Sequence, residues 1–255
     1  MLRFSCLGSG SEGNATVVEA SDGFVTTRVL LDNGFNGRQL RQRLARAGLD
    51  LGDLDAIVLT HEHSDHVGGV HALRRKVELP VYCSVGTARA AALQAGFTEV
   101  VAGEIVAIGA LRLMPFAVAH DAAEPLQYVF SDGDRRLGVL TDIGAPADDV
   151  FSALAGVDAL LLECNHDAEM LRASAYPPFL KARILGGQGH LSNAQAASLL
   201  GRLDRRRLGL VAAGHLSRRN NLPQLAQQAL AAVLGCGEHD VLVADQDSGL
   251  PWQRC

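Results

Sequence analysis

Runs of consecutive apolar residues recur along the chain, separated by stretches whose apolar positions fall three and four apart. Ala56-Ile57-Val58-Leu59, Arg28-Val29-Leu30-Leu31 and Ala159-Leu160-Leu161-Leu162 are runs of the first kind. Branched and leucine runs of this length read as buried strands. The pattern predicts strands near 2–7, 15–19, 28–31, 56–59, 80–83, 104–108, 111–118, 126–131, 136–140, 159–162, 208–211 and 241–244. Helical spacing predicts helices over 36–47, 67–76, 86–95, 147–154, 167–174 and 222–234. A further helix should follow Ser192, where a Ser-x-x-Gln capping box (Ser192, Gln195) precedes Ala196, Leu199, Leu200 and Leu203. Between them, Tyr176-Pro177-Pro178 reads as a break leading into the glycine-rich Gly186–Gly189. Strands alternating with helices make this an α/β chain.

Four apolar runs end in an ionisable side chain: His61, Asp142, Glu163 and His215. Ligand sites in open α/β sheets gather at strand ends. The densest of these ends is His61-Glu62-His63-Ser64-Asp65-His66. In an extended loop leaving the strand, His61 and His63 point the same way and can meet one ion, while Asp65 and His66 turn toward a second. Asp32, at the end of the strand near 28–31, is placed to accept a hydrogen bond from a ligand histidine.

Composition narrows the class. The chain has 255 residues, 48% hydrophobic, with 27 glycines and a net charge of -5. This suits one globular domain spanning 1–255. No run approaches the roughly 18 apolar residues of a membrane span, and the first residues lack the apolar core of a secretory signal. Five scattered cysteines without a Cys-x-x-Cys pair indicate neither a disulfide framework nor a zinc ribbon. The expectation is a cytoplasmic protein without membrane attachment. The acidic balance gives no global attraction for nucleic acid, although arginines cluster locally, as at Arg218-Arg219.

The pattern His-x-His-x-Asp-His after a buried strand resembles the metallo-β-lactamase superfamily. The resemblance extends to Gly8-Ser9-Gly10-Ser11-Glu12-Gly13-Asn14-Ala15, His120-Asp121-Ala122, Asn165-His166-Asp167 and Gly189-His190-Leu191-Ser192-Asn193, then His215-Leu216-Ser217 and Asn220-Asn221. Within the superfamily these motifs are similar to the YycJ/WalJ-like branch, related to the tRNA 3′-processing endonucleases. Those endonucleases carry a long arm for tRNA, and no 40-residue insertion of that kind stands here. The resemblance implies an αββα four-layer sandwich and a dinuclear, metal-dependent hydrolase acting on phosphodiesters as a DNA exonuclease. It also implies a ligand set: His61, His63 and His120 on one ion, Asp65, His66 and His215 on the other, with Asp142 between them. All are N or O donors, which suits zinc first, then manganese or iron.

Two divalent ions in one pocket favour in-line attack on phosphorus. A leaving alkoxide needs a proton donor, and His190 and His166 are the candidates, with Glu163 holding one of them and Asp65 counted among the catalytic groups. His190 gains interest from the helix N–H groups expected beside it. Ser9, Ser11 and Asn14 in the glycine loop, with Arg218, Arg219 and Asn221 past His215, are the expected substrate contacts. The substrate is expected to be nucleic acid or a small cyclic or dinucleotide phosphodiester. A thioester hydrolase of glyoxalase II type and a metal-stabilised module binding DNA or protein without chemistry are the competing readings.

Overall fold

Strands of this chain are apolar on both faces, so each sheet has to be covered twice. The computed structural model describes residues 1–93 and 96–255. One sheet contains β1 (Leu2–Gly8), β2 (Ala15–Ser21), β3 (Thr26–Leu31), β4 (Ala56–Val58), β5 (Val81–Cys83) and β6 (Phe97–Glu99). The other contains β7 (Val106–Ile108), β8 (Leu111–Ala117), β9 (Leu126–Ser131), β10 (Arg136–Leu140), β11 (Ala159–Glu163), β12 (Leu210–Gly214) and β13 (Leu242–Val243). The last strand, β14 (Leu250–Arg254), returns to pair antiparallel with β1. Both sheets are mixed in the same way. In one, β14 through β3 pair antiparallel and β3 through β6 parallel. In the other, β7 through β10 pair antiparallel and β10 through β13 parallel.

Alternate residues of each strand divide between two cores. Val29, Val58, Tyr128, Phe130, Val139 and Leu161 fill the space between the sheets. Leu30 and Ile57 face outward, beneath α1 (Gly37–Arg46), α2 (Ser64–Val67), α3 (Val70–Arg74) and α4 (Val85–Ala90). Leu140, Leu160 and Leu162 face outward on the other side, beneath α5 (Asp148–Leu154) and two helices near the C-terminus. Between α5 and those two lie α6 (Ala168–Ala173) and α7 (Pro178–Leu185); the two themselves are α8 (Asn193–Arg202) and α9 (Pro223–Leu234). The result is the αββα sandwich. No helix among the described residues is long and apolar enough to cross a membrane.

Several elements differ from the sequence reading. The stretch after His63 is not extended: the chain enters α2 at Ser64, with His63 as its N-terminal flanking residue. β6, β14 and α7 were not expected. β14 contains Pro251 and pairs with one neighbour only, the setting in which a strand tolerates proline. α7 starts at the second of two prolines and buries no side chain, so it leaves no apolar periodicity to read. The helix expected over 86–95 ends at Ala90, and its Gln94 and Ala95 lie outside the described residues.

Candidate metal centre

The parallel halves of the two sheets deliver their C-terminal ends to one place. Asp32 follows β3, His61 stands just past β4, Asp142 just past β10, Glu163 closes β11 and His215 follows β12. Asp32, Asp142 and His215 all take left-handed backbone, with φ of 58°, 54° and 54°. Such angles cost energy for residues with a Cβ and persist where the surroundings fix them. Here the fixing contacts are visible. The Asp142 N–H donates to Glu163 Oε1 at 3.1 Å, and the His215 N–H donates to Ser9 Oγ at 2.8 Å.

Among the described residues, ligand atoms of His61, His63 and His120 lie within 4.8 Å of one another, and so do those of Asp65, His66, Asp142 and His215. The two groups adjoin through Asp142. Its Oδ2 is 3.2 Å from His66 Nε2 and its Oδ1 4.0 Å from His120 Nε2, so one carboxylate faces both. Each ring is oriented from behind. His61 Nδ1 is 3.0 Å from Thr60 Oγ1, His120 Nδ1 is 3.2 Å from the Gly189 carbonyl, and His66 Nδ1 is 2.8 Å from Asp32 Oδ2. His63 does the reverse, setting Nε2 3.2 Å from the Asp121 carbonyl and turning Nδ1 to 3.3 Å from His120 Nε2. Two imidazole nitrogens facing at that distance suit a shared cation.

The electrostatics fit a cation pair. Burial holds His61 well below its ordinary pKa and lowers His120, so both rings are neutral and offer a lone pair. His61 Nε2 is buried and has no hydrogen-bond partner, and the same holds for His215 Nε2. Burial also opposes protonation of His66 and His215, but carboxylates outweigh it. Asp142, Asp32 and Asp65 push His66 well up, and Asp142, Asp65 and Glu163 push His215 to about 10. Protons thus collect where bound cations would balance the same carboxylates. The residues present fit divalent metal ions.

Asp32 ties this arrangement to the fold. Its Oδ1 accepts from the Thr60 N–H at 2.9 Å while its Oδ2 accepts from Thr60 Oγ1 at 2.8 Å and faces His66. Asn tolerates the left-handed backbone, so Asp32→Asn should keep the fold and weaken metal affinity by roughly 10–100-fold. Competitive titration against a chromophoric chelator measures this. Unchanged affinity would deny Asp32 its orienting role.

Glu163 is fully buried and holds more than one group. Its Oε1 is 2.8 Å from His190 Nδ1 and 3.1 Å from His215 Nδ1, and its Oε2 accepts from the Leu191 and Ile143 N–H groups at 2.9 and 3.3 Å. Although burial opposes it, His190 and then His215 draw its carboxyl down to about 2. His190, whose side chain is 22% exposed, lines the cleft over the ligands, and Glu163 raises its proton affinity against burial. The backbone N–H groups expected to be free beside His190 are used: Leu191 donates to Glu163 and Gln195 to Ser192.

The other expected residues divide. Ser11 lines the cleft. Ser9 and Asn14 are buried and serve the ligands instead, Ser9 through the His215 backbone and Asn14 by donating to Asp65 Oδ2 at 3.3 Å. His166 is not brought to the cleft. Its ring is buried with neither nitrogen hydrogen-bonded, and burial pushes it down to about 4. Its backbone is bridged to Ser192, and its side chain is absent from the cleft lining. Asn221 spends its amide on the Cys164 carbonyl and Asn193 and is structural. Arg218 is paired with Asp247 at 2.6 Å, and Arg219 is exposed outside the cleft lining. Sequence reasoning missed Asp121, Tyr176, Leu180, Arg183 and Ile184, all of which line the cleft of about 390 Å³. Asp121 had a signal in its place beside His120. The others sit on or just ahead of α7, which had none.

A beta-lactamase superfamily domain profile matches residues 27–211. Exodeoxyribonuclease YycJ of Bacillus anthracis is 35% identical over 239 residues, 91% of this chain and 89% of that one. The chain belongs to the metallo-β-lactamase superfamily. Within this superfamily it is also 35% identical to exodeoxyribonuclease WalJ of Streptococcus pneumoniae, over 90% of this chain and 87% of the relative. The metallo-β-lactamase fold protein YhfI of Bacillus subtilis superposes with a TM-score of 0.75 over 99% of this chain and 98% of its own, at 15% identity, and shares the fold.

Proposed function

We propose that this protein is a hydrolase that uses two divalent metal ions, zinc foremost, to cleave phosphodiesters of DNA as an exonuclease. The observation that carries the reading is the Asp142 carboxylate standing between the two histidine groups. The relatives named exodeoxyribonuclease cover nearly the whole chain and support it. Imidazole and carboxylate donors without a thiolate favour zinc, with manganese and iron behind it.

Bound there, the ions would supply Lewis acidity toward a phosphate oxygen and an activated water. The chain's own residues supply the rest. His61, His63 and His120 would hold one ion, and Asp65, His66 and His215 the other. Asp121 fixes the ring of His63 through its carbonyl, and Asn14 fixes Asp65. His190, kept protonated by Glu163 and open to the cleft, is placed to give its proton to the leaving alkoxide.

Metal-loaded protein should shorten end-labelled linear DNA. Chelation should reduce the rate by at least about a hundredfold, with recovery on adding divalent metal. A panel of linear DNA, cyclic dinucleotides and glutathione thioesters decides the substrate. Turnover of thioesters with no cleavage of any phosphodiester would overturn the proposal.

A further inference from the structure

α7 buries none of its residues, yet Leu180, Arg183 and Ile184 on it, with Tyr176 just before it, line the cleft over the metal ligands. Leu180 and Ile184, four apart on the helix, form a half-buried stripe along the wall, and the half-buried Tyr176 just ahead of the helix lines the same cleft. A phosphodiester alone needs no apolar wall, whereas the base joined to it does. Aromatic and aliphatic surface beside a cationic site is the composition that holds single-stranded nucleic acid, through stacking on the ring and pairing with the backbone charge. The charge is present as well. Arg183 donates through Nε to Asp121 Oδ2 at 2.5 Å, which anchors it beside His63, and its two terminal amino groups have no partner among the described residues. They are available to a phosphate oxygen. A cleft of about 390 Å³ has room for one nucleotide.

Building on the nuclease reading, we infer that the α7 wall is the subsite for the terminal nucleotide of a single DNA strand. Its base stacks on Tyr176 against Leu180 and Ile184, and Arg183 takes the phosphate next to the one being cleaved. The wall therefore recognises an unpaired end and is indifferent to sequence, since every base has a π-face.

The test compares a single-stranded oligonucleotide with one carrying abasic residues at both ends. For the metal-loaded protein, kcat/KM should be higher on the intact strand by roughly fivefold to a hundredfold. Tyr176→Ala should bring that ratio close to one, and Tyr176→Phe should retain it. Fluorescence anisotropy with chelator-treated protein gives a second reading. There, the preference for the intact strand should also depend on Tyr176, and Arg183→Ala should reduce the log–log salt slope of binding by about 0.7. An intact-to-abasic ratio unchanged in Tyr176→Ala overturns the subsite while leaving the nuclease standing. If metal-loaded wild type cleaves neither strand, the nuclease reading fails. Anisotropy then decides the subsite alone: a Tyr176-dependent preference supports it, and equal affinity for the two strands overturns it.

Discussion

Asp142→Asn should lower turnover on linear DNA by at least about a thousandfold, equivalent to about 4 kcal/mol of barrier, and should reduce the bound metal. The change is nearly isosteric, and asparagine accepts the left-handed backbone found at Asp142, so the turn after β10 is kept. What disappears is the negative charge that faces both histidine groups. An amide in its place coordinates more weakly and leaves the two cations less neutralised. Elemental analysis and rate measurements on one preparation check both effects. Wild-type turnover in this variant would mean that Asp142 is no part of the centre. The same charges set a pH trend: because carboxylates hold protons on His66 and His215, loading must displace them, and metal affinity should keep rising as pH climbs toward about 10.

The second large effect is expected at Glu163. Glu163→Gln should lower kcat by roughly 10²–10⁴-fold with a smaller change in KM, because it deprives His190 of the carboxylate that keeps it protonated. The alkaline limb of the pH profile should move to lower pH, since a His190 with reduced proton affinity loses its proton sooner. Stability follows a separate rule. The folded pKa of about 2 lies below the ordinary 4.5, so the ionised carboxylate stabilises the fold above that ordinary value and the benefit is lost as pH falls toward 2. The variant should lack this acid-side slope. It should also lose about 1–3 kcal/mol, because one end of the glutamine amide presents a donor to backbone N–H groups that need an acceptor. Urea unfolding at neutral and acid pH measures both. A variant with the wild-type pH profile would leave Glu163 a purely structural residue.

The layering was legible because strands buried on both faces are apolar without interruption, as in Ala56–Leu59 and Ala159–Leu162. The convergence of the expected ligand residues was legible because ionisable residues stand out at the ends of such runs. The supporting shell was only partly so. Asp32 behind His66 was anticipated, but Ser9 and Asn14 looked like substrate contacts, since a glycine loop exposes the same chemistry whether it meets a phosphate or the back of a ligand. His166, expected at the cleft, is buried outside its lining, and a histidine's type does not reveal its burial. The cleft wall was illegible, because a helix without a buried face leaves no period in the sequence.

The two sheets repeat one plan, antiparallel strands giving way to parallel ones, and each contributes part of the cluster proposed to hold metal. His61, His63 and His66 come from the first half of the molecule, and Asp142 and His215 from the second. Ions held there would act as rivets across the seam between the halves. Losing them would loosen that seam locally and lower thermal stability, while the three apolar cores keep the sandwich assembled.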